Sequence, residues 1–258
     1  MKIDIRAEAA RYYDSNPAFL SDIPFYQNLI SAPDISILEL GCGTGRVTLS
    51  LIPYCRYTQG IDISSPMLAI CRKKLASAGI PATGANVVEG DITDFDLGRT
   101  FDLIIAPFRV FQNLETDQEV DGCFKCIRKH LADNGSCILN VFRPFWEPEE
   151  LRRQWEIPAE SLDWEIPIEG GKLACYARKA GVAKDKLVLY PELIYRRFAG
   201  ETLAEESVLP IVMRCYYPDE FEKLILDQGF QILKRWGGYA GEVYGQGPEL
   251  VVQFRKVS

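Results

Sequence analysis

Residues 38–45 read Leu-Glu-Leu-Gly-Cys-Gly-Thr-Gly and follow the short apolar run Ile35-Ser36-Ile37. Glycine at a strand end packs nothing and loses backbone entropy on folding, so three at alternate positions mark a place where something must approach the main chain closely. The next residues, Arg-Val-Thr-Leu-Ser-Leu-Ile from Arg46, read as a helix. A strand, a glycine turn and a helix set free backbone N–H groups and the helix's positive end at the carboxyl edge of a sheet, where small charged cofactors bind. A dinucleotide fingerprint wants G-x-G-x-x-G. Here the spacing is G-x-G-x-G, and Arg46 stands where the third glycine of that fingerprint would fall.

Further along, ISILEL, YTQGID, NVVEG, FDLIIA and SCILNVF read as strands, alternating with helix candidates. The segment after Asp62 predicts a helix with Ser65 as N-cap, Pro66 at its first position, Leu68, Cys71 and Leu75 on one face and Gly79 as its stop. TDQEVDGCFKCIRKHLADNG predicts a second helix, opened by a capping box from Thr116 to Glu119 and closed at Gly135. Such alternation implies a mostly parallel sheet with helices on both faces.

After Phe142 the pattern changes to a Pro- and Trp-rich stretch. Three segments of strand-like period follow, KLACYARKAG, DKLVLYPELIYRRF and ETLAEESVLPIVMRCYY, which predict an antiparallel meander. A helix at YPDEFEKLILDQG and a hairpin from FQILKRWGGY and ELVVQFRK then return to the main sheet. The expected fold is α/β: a seven-stranded, mostly parallel Rossmann-like sheet formed by residues 1–143 and 216–258, with 1–34 as an N-terminal helical lid and 144–215 as an inserted antiparallel β cap.

Composition narrows the function. A net charge of −7 disfavours an extended phosphate-backbone footprint, so nucleic acid is not expected as a partner. No run approaches the ~18 apolar residues of a membrane span, and the first residues lack the apolar centre of a secretory signal, giving a cytoplasmic expectation. The eight cysteines form no secreted-type disulfide framework. Cys123 and Cys126 make a C-x-x-C inside a helical pattern with no second pair at zinc spacing, so no metal site is expected.

Two acidic residues accompany the glycines. Asp62 ends the second strand, suited to accept hydrogen bonds from both hydroxyls of a ribose, and Asp91 with Ile92 follows the third, where they can border an adenine ring. Together ILELGCGTGRV, GIDISSPML, EGDITDF and FDLIIAPFRVFQNL resemble, in order, the motifs of class I S-adenosylmethionine-dependent methyltransferases over about the first 140 residues. The resemblance implies that Gly41, Gly43 and Gly45 lie against the methionine part of the cofactor and that Glu39 helps to organise its ammonium group. It also implies Asp62 on the ribose, Ile63 and Met67 near the adenine, Asp91 and Ile92 at the adenine edge, and Ala106 beside the amino acid portion.

Methyl transfer from a sulfonium needs alignment and desolvation more than a nucleophilic triad. The single histidine, His130, lies late in a helix and reads as a helix-end residue meeting terminal carbonyls. Many relatives place a histidine just after the fourth strand; here Gln112 and Asn113 occupy that neighbourhood, which disfavours histidine-assisted deprotonation. Arg109 and Tyr13 are the candidate catalytic contacts. Tyr12, Asn113, Tyr195, Arg197, Arg214 and Tyr217 are candidate acceptor contacts, with helix packing or a solvated strand face as the alternative for the tyrosines and arginines. The expected reaction is methyl transfer from S-adenosylmethionine, leaving S-adenosylhomocysteine, to an N or O atom of a small metabolite. The alternatives are a nicotinamide- or flavin-dependent oxidoreductase, a catalytically silent cofactor-binding module, and transfer to a metalloid through Cys42, Cys175 and Cys215. The oligomeric state is left open, with a homodimer among the options.

Overall fold

The computed structural model describes residues 10–17 and 21–257. The expected lid at 1–34 therefore falls partly outside the described residues, and what is seen of it is α1 (Ala10–Tyr13) and α2 (Ile23–Asn28).

Five strands of the main sheet are parallel: β1 (Ser36–Leu40), β2 (Tyr57–Asp62), β3 (Ala85–Glu89), β4 (Phe101–Ala106) and β5 (Leu131–Phe142). Alternate residues point to opposite sides, as a period of two requires. Leu38, Ile104 and Leu139 enter one apolar core, and Ile37, Leu103 and Ile138 enter the other. The helices between these strands are α3 (Arg46–Leu51), α4 (Ser65–Ser77) and α5 (Asp117–His130). α2 and α3 cover the side of Ile37, while α5 covers the side of Leu38.

Two sequence expectations shift. The cap of α4 is Ser64, whose hydroxyl accepts from the Met67 N–H; Ser65 is already helical, because Ser64 holds the extended conformation a cap needs. α5 stops at His130, five residues before Gly135, because Leu131 is already extended and paired with Phe101. Gly135 instead lets the start of β5 crowd β4: a Cβ there would lie 2.9 Å from the Asp102 carbonyl oxygen. The capping box from Thr116 to Glu119 is formed.

From Phe142 the chain leaves the sheet. α6 (Pro148–Glu156), which the sequence pattern did not signal, leads into a second, antiparallel sheet of β6 (Glu160–Ile168), β7 (Gly171–Val182), β8 (Val188–Ala199), β9 (Thr202–Pro210) and β10 (Met213–Arg214). The chain returns through α7 (Pro218–Asp227) to an antiparallel hairpin of β11 (Phe230–Trp236) and β12 (Glu249–Lys256), giving the seven-strand order β11-β12-β5-β4-β1-β2-β3. The order reverses between β1 and β4, and the carboxyl ends at such a reversal form a crevice. No helix among the described residues is long and apolar enough to cross a membrane.

Candidate active site at the carboxyl edge

At the crevice the N–H groups of Gly41 and Cys42 both donate to the Ile61 carbonyl, at 2.8 and 3.0 Å, curling the glycine loop onto the end of β2. All three glycines have positive φ, 68°, 53° and 83°. Their surroundings differ. A Cβ at Gly41 would meet the Val110 side chain at 2.5 Å, and one at Gly45 would meet the Cys71 sulfur at 2.3 Å. Gly43 faces open space, its nearest neighbour being Oδ2 of Asp62 at 4.0 Å. Two of the glycines thus admit protein side chains, and Gly43 leaves a shelf.

Asp62 borders that shelf. Its two oxygens accept from the N–H groups of Gly43 and Ser64, each at 2.8 Å, which fixes the carboxylate and leaves further lone-pair capacity on both oxygens. A ribose diol, donating to these two acceptor oxygens, with a flat ring beyond it fits here, and Ile63 just before α4 and the buried Met67 in its first turn follow directly. On the next strand end, Asp91 accepts from the Thr93 N–H and hydroxyl at 3.0 and 2.7 Å, closing a tight turn with Ile92 against the core. Ala106, fully buried, ends β4.

Glu39 is buried and accepts from the Thr48 hydroxyl. Burial pushes its carboxyl up to about 8, against the opposing effects of Thr48 and of the Arg46 guanidinium. Arg46 forms a forked ion pair with the buried Asp22 at the head of α2 and lies over the Phe108 ring. The residue replacing the dinucleotide glycine therefore anchors the N-terminal segment to the loop.

Beyond β4, Phe108 and Arg109 both adopt left-handed backbone, at φ 52° and 66°. Asn140, fully buried in β5, holds this turn: its Oδ1 accepts from the Arg109 N–H at 3.0 Å and from the Tyr239 hydroxyl at 2.7 Å, and its Nδ2 donates to Glu249. The Arg109 guanidinium pairs with Glu249 as well. Sequence reasoning missed Asn140 and Glu249, which lie inside otherwise ordinary apolar strands and carry no motif.

The remaining candidates divide between the cap and its crossings. Tyr195 is buried in the cap cluster with Cys175 and Leu209, and Tyr12 stacks on it at 5.8 Å while donating to Glu205 at 2.6 Å. Arg197 lies 3.7 Å from Glu205. Tyr13 is half-buried between the fields of Arg46 and Tyr195. Arg214 pairs with Asp117 at 2.8 Å, and Tyr217 donates to the Trp146 carbonyl, so both stand where the cap joins the core. Asn113 donates to the carbonyls of Arg109 and Val110, at 3.2 Å each, within its own turn.

His130 is buried, with Nδ1 on the Cys126 carbonyl and Nε2 accepting from the Leu97 N–H at 3.0 Å, which assigns the proton to Nδ1. Cys42, Cys175 and Cys215 fall in three separate apolar clusters, leaving metalloid transfer without converging thiolates. Among the described residues no His, Cys, Asp and Glu group could hold a metal ion.

Residues 37–135 match a family described as a methyltransferase domain. That segment, from β1 to the start of β5, is similar to methyltransferase domains and holds the glycine loop, Asp62 and Asp91. Among curated relatives, the dTDP-3-amino-3,4,6-trideoxy-alpha-D-glucopyranose N,N-dimethyltransferase of Streptomyces venezuelae is 29% identical over 120 residues, 46% of each chain. The dTDP-3-amino-3,6-dideoxy-alpha-D-glucopyranose N,N-dimethyltransferase of Streptomyces fradiae is 29% identical over 114 residues, 44% of this chain and 41% of that one. The matched stretch thus spans less than half the length of these relatives. A solved S-adenosylmethionine-dependent methyltransferase from Clostridium acetobutylicum superposes with a TM-score of 0.74 at 19% identity, over 97% of this chain and 98% of that one, so the likeness of fold extends through the cap. None of these matches supports a nicotinamide or flavin enzyme.

Proposed function

We propose that the chain transfers the methyl group of S-adenosylmethionine to a nitrogen or oxygen of a small metabolite held between the carboxyl edge of the main sheet and the antiparallel cap. The observation that carries this is the open shelf at Gly43 beside the backbone-held carboxylate of Asp62. The methyltransferase domain supports the choice of cofactor.

The cofactor, when bound, supplies an electrophilic methyl group and a neutral thioether leaving group. The chain does the rest. Asp62 grips the sugar, and the glycine loop, whose Gly41, Cys42 and Gly43 N–H groups are turned onto the Ile61 carbonyl and Asp62, lets the amino acid portion approach the bare main chain at Gly43. The Phe108–Arg109 turn, stiffened by Asn140 and Glu249, forms one wall of the reaction space. The cap and the segment around Tyr12 and Tyr13 exclude water, and Tyr13 with Arg109 contacts the acceptor. Positioning of this kind lowers barriers by ~7–11 kcal/mol, so an amine arriving neutral needs no side-chain base. The acidic net charge and the enclosing sheet favour a small acceptor over a polymer. Because the Streptomyces relatives are amino-sugar N,N-dimethyltransferases, nucleotide-linked amino sugars head the acceptor panel.

Calorimetry with S-adenosylhomocysteine and with NAD is the direct test. Heat with the first and none with the second is expected, followed by methyl transfer in the panel read by mass spectrometry. Binding of NAD alone would overturn the assignment.

A further inference from the structure

Gln112 is fully buried in the short turn Val110–Asn113 after β4, and the chemistry above gives it no task. Its amide bonds two remote strands at once. The Phe142 N–H donates to Oε1 at 2.7 Å, and Nε2 donates to the Arg214 carbonyl at 2.8 Å. Phe142 is the last residue of β5, where the chain leaves the main sheet for the cap, and Arg214 is the last of β10, where it comes back. The orientation of the amide is forced, because only its oxygen can take an N–H and only its NH₂ can meet a carbonyl. The same loop reaches the cap through Glu115, which accepts from the Tyr190 hydroxyl at 2.6 Å, and its helix through Asp117, paired with Arg214.

We propose that Gln112 is a positioning residue: it locks both crossings between core and cap to the turn after β4, so that this wall of the reaction space and the sheet above it keep one fixed separation. The reason is hydrogen-bond satisfaction in a dry place. A cap displaced by an ångström or two would leave the Phe142 N–H, the Arg214 carbonyl and both ends of the amide unpaired away from water, and each such group resists burial without a partner. Gln112 touches neither cofactor nor acceptor in this arrangement and acts through the two crossings. The proposal rests on the methyltransferase reading only for what the cap covers.

The test uses the full chain with Gln112→Met, which keeps length and volume but has no amide, and Gln112→Glu, which keeps an oxygen for the Phe142 N–H. Backbone amide hydrogen exchange at Phe142 is followed alongside S-adenosylhomocysteine affinity. In Gln112→Met the Phe142 amide is expected to exchange at least about tenfold faster than in the parent, and in Gln112→Glu to stay protected, with affinity within about twofold in both. A residue that merely fills space would leave Phe142 protected in the Met variant, and that result overturns the proposal. Equal loss of protection in both variants overturns it too, as does a fall in affinity that tracks the exchange, which would place Gln112 in the cofactor site. Should Gln112→Met not fold, Phe142 protection in Gln112→Glu decides alone: retained supports, lost overturns. If the parent chain binds no S-adenosylhomocysteine, the functional reading fails while the exchange pattern still judges the role of Gln112.

Discussion

A methyl group added at Gly43 and one added at Gly45 enter different surroundings, and the two substitutions separate folding from binding. Gly45→Ala drives a Cβ into the Cys71 sulfur and Leu49, an overpacking that costs about 1–3 kcal/mol beyond the left-handed strain. Gly43→Ala meets no protein atom closer than 4.0 Å, so only the backbone penalty of about 1–2 kcal/mol applies. Urea unfolding should therefore show the larger loss for Gly45→Ala, while calorimetry should show S-adenosylhomocysteine affinity falling at least about tenfold in Gly43→Ala, whose methyl group fills the shelf. Undiminished affinity there would remove the shelf from the cofactor site. Glu39 makes a second prediction at this scale. Burial lifts its folded pKa from 4.5 to about 8, so between those values the native state keeps a proton that the unfolded chain has released. The stabilisation is complete below the unfolded value and fades as pH rises through the folded one. In the cofactor-free protein, Glu39→Gln should flatten that part of the curve of melting temperature against pH, with the variant gaining on the parent towards pH 8; parallel curves would show that Glu39 ionises normally.

Elements were legible where local chemistry decides them and obscure where a partner does. Every main-sheet strand read from the sequence is present, and the central β1 and β4 were the plainest because strands buried on both faces run mostly apolar. The end of α5 was misjudged because Leu131 to Gly135 carries no stop signal of its own; pairing with Phe101 pulls it into β5. α6 went unseen because tryptophan and proline on both sides masked a short helix with Pro148 at its start. The turn after β4 is the element most dependent on remote residues, and Asn140 is its hub. Asn140→Ala takes the acceptor from the Arg109 N–H and the Tyr239 hydroxyl and one of the two donors from Glu249 Oε2, which keeps only Arg109, in a buried strand. The expected cost is about 2–4 kcal/mol in urea unfolding, with turnover falling further than stability explains because Phe108 and Arg109 lose their support. A loss below about 1 kcal/mol would mean that the left-handed turn holds itself.

Taken whole, the molecule is a seven-stranded sheet with a second, antiparallel sheet inserted between β5 and α7, and the segment around α1 contacts the second sheet and the glycine loop. The second sheet was legible as alternation from Lys172 onward, but neither β6, hidden in the Pro- and Trp-rich stretch, nor which face of the sheet is apolar could be read. That is fixed by pairing: Cys175 opposite Tyr195 and Leu193 opposite Leu209 put one face into an apolar cluster that Tyr12 joins, while Arg178, Glu192, Arg196 and Glu206 pair across the other face. The N-terminal segment touches the second sheet on one side and the glycine loop and α4 on the other. Tyr12 and Arg11 hold Glu205 in the cap, whereas Asp14 accepts from the Thr44 hydroxyl in the glycine loop at 2.6 Å and pairs with Lys74 on α4 at 2.7 Å. Asp14→Ala cuts only the ties to the core, and because Asp14 and Lys74 are both more than a third exposed, the change in global stability should be under about 1 kcal/mol. Local opening should respond far more, since such a strap opens without unfolding the sheet beneath it. Trypsin cleavage after the exposed Arg11 is therefore expected to accelerate several-fold in Asp14→Ala at nearly unchanged melting temperature. Saturating S-adenosylhomocysteine should slow it in the parent more than in the variant, because the loop carrying Thr44 is then held from below. Equal cleavage rates in the two proteins would show that the strap is secured from the cap alone, and that Thr44 takes no part in closing the crevice.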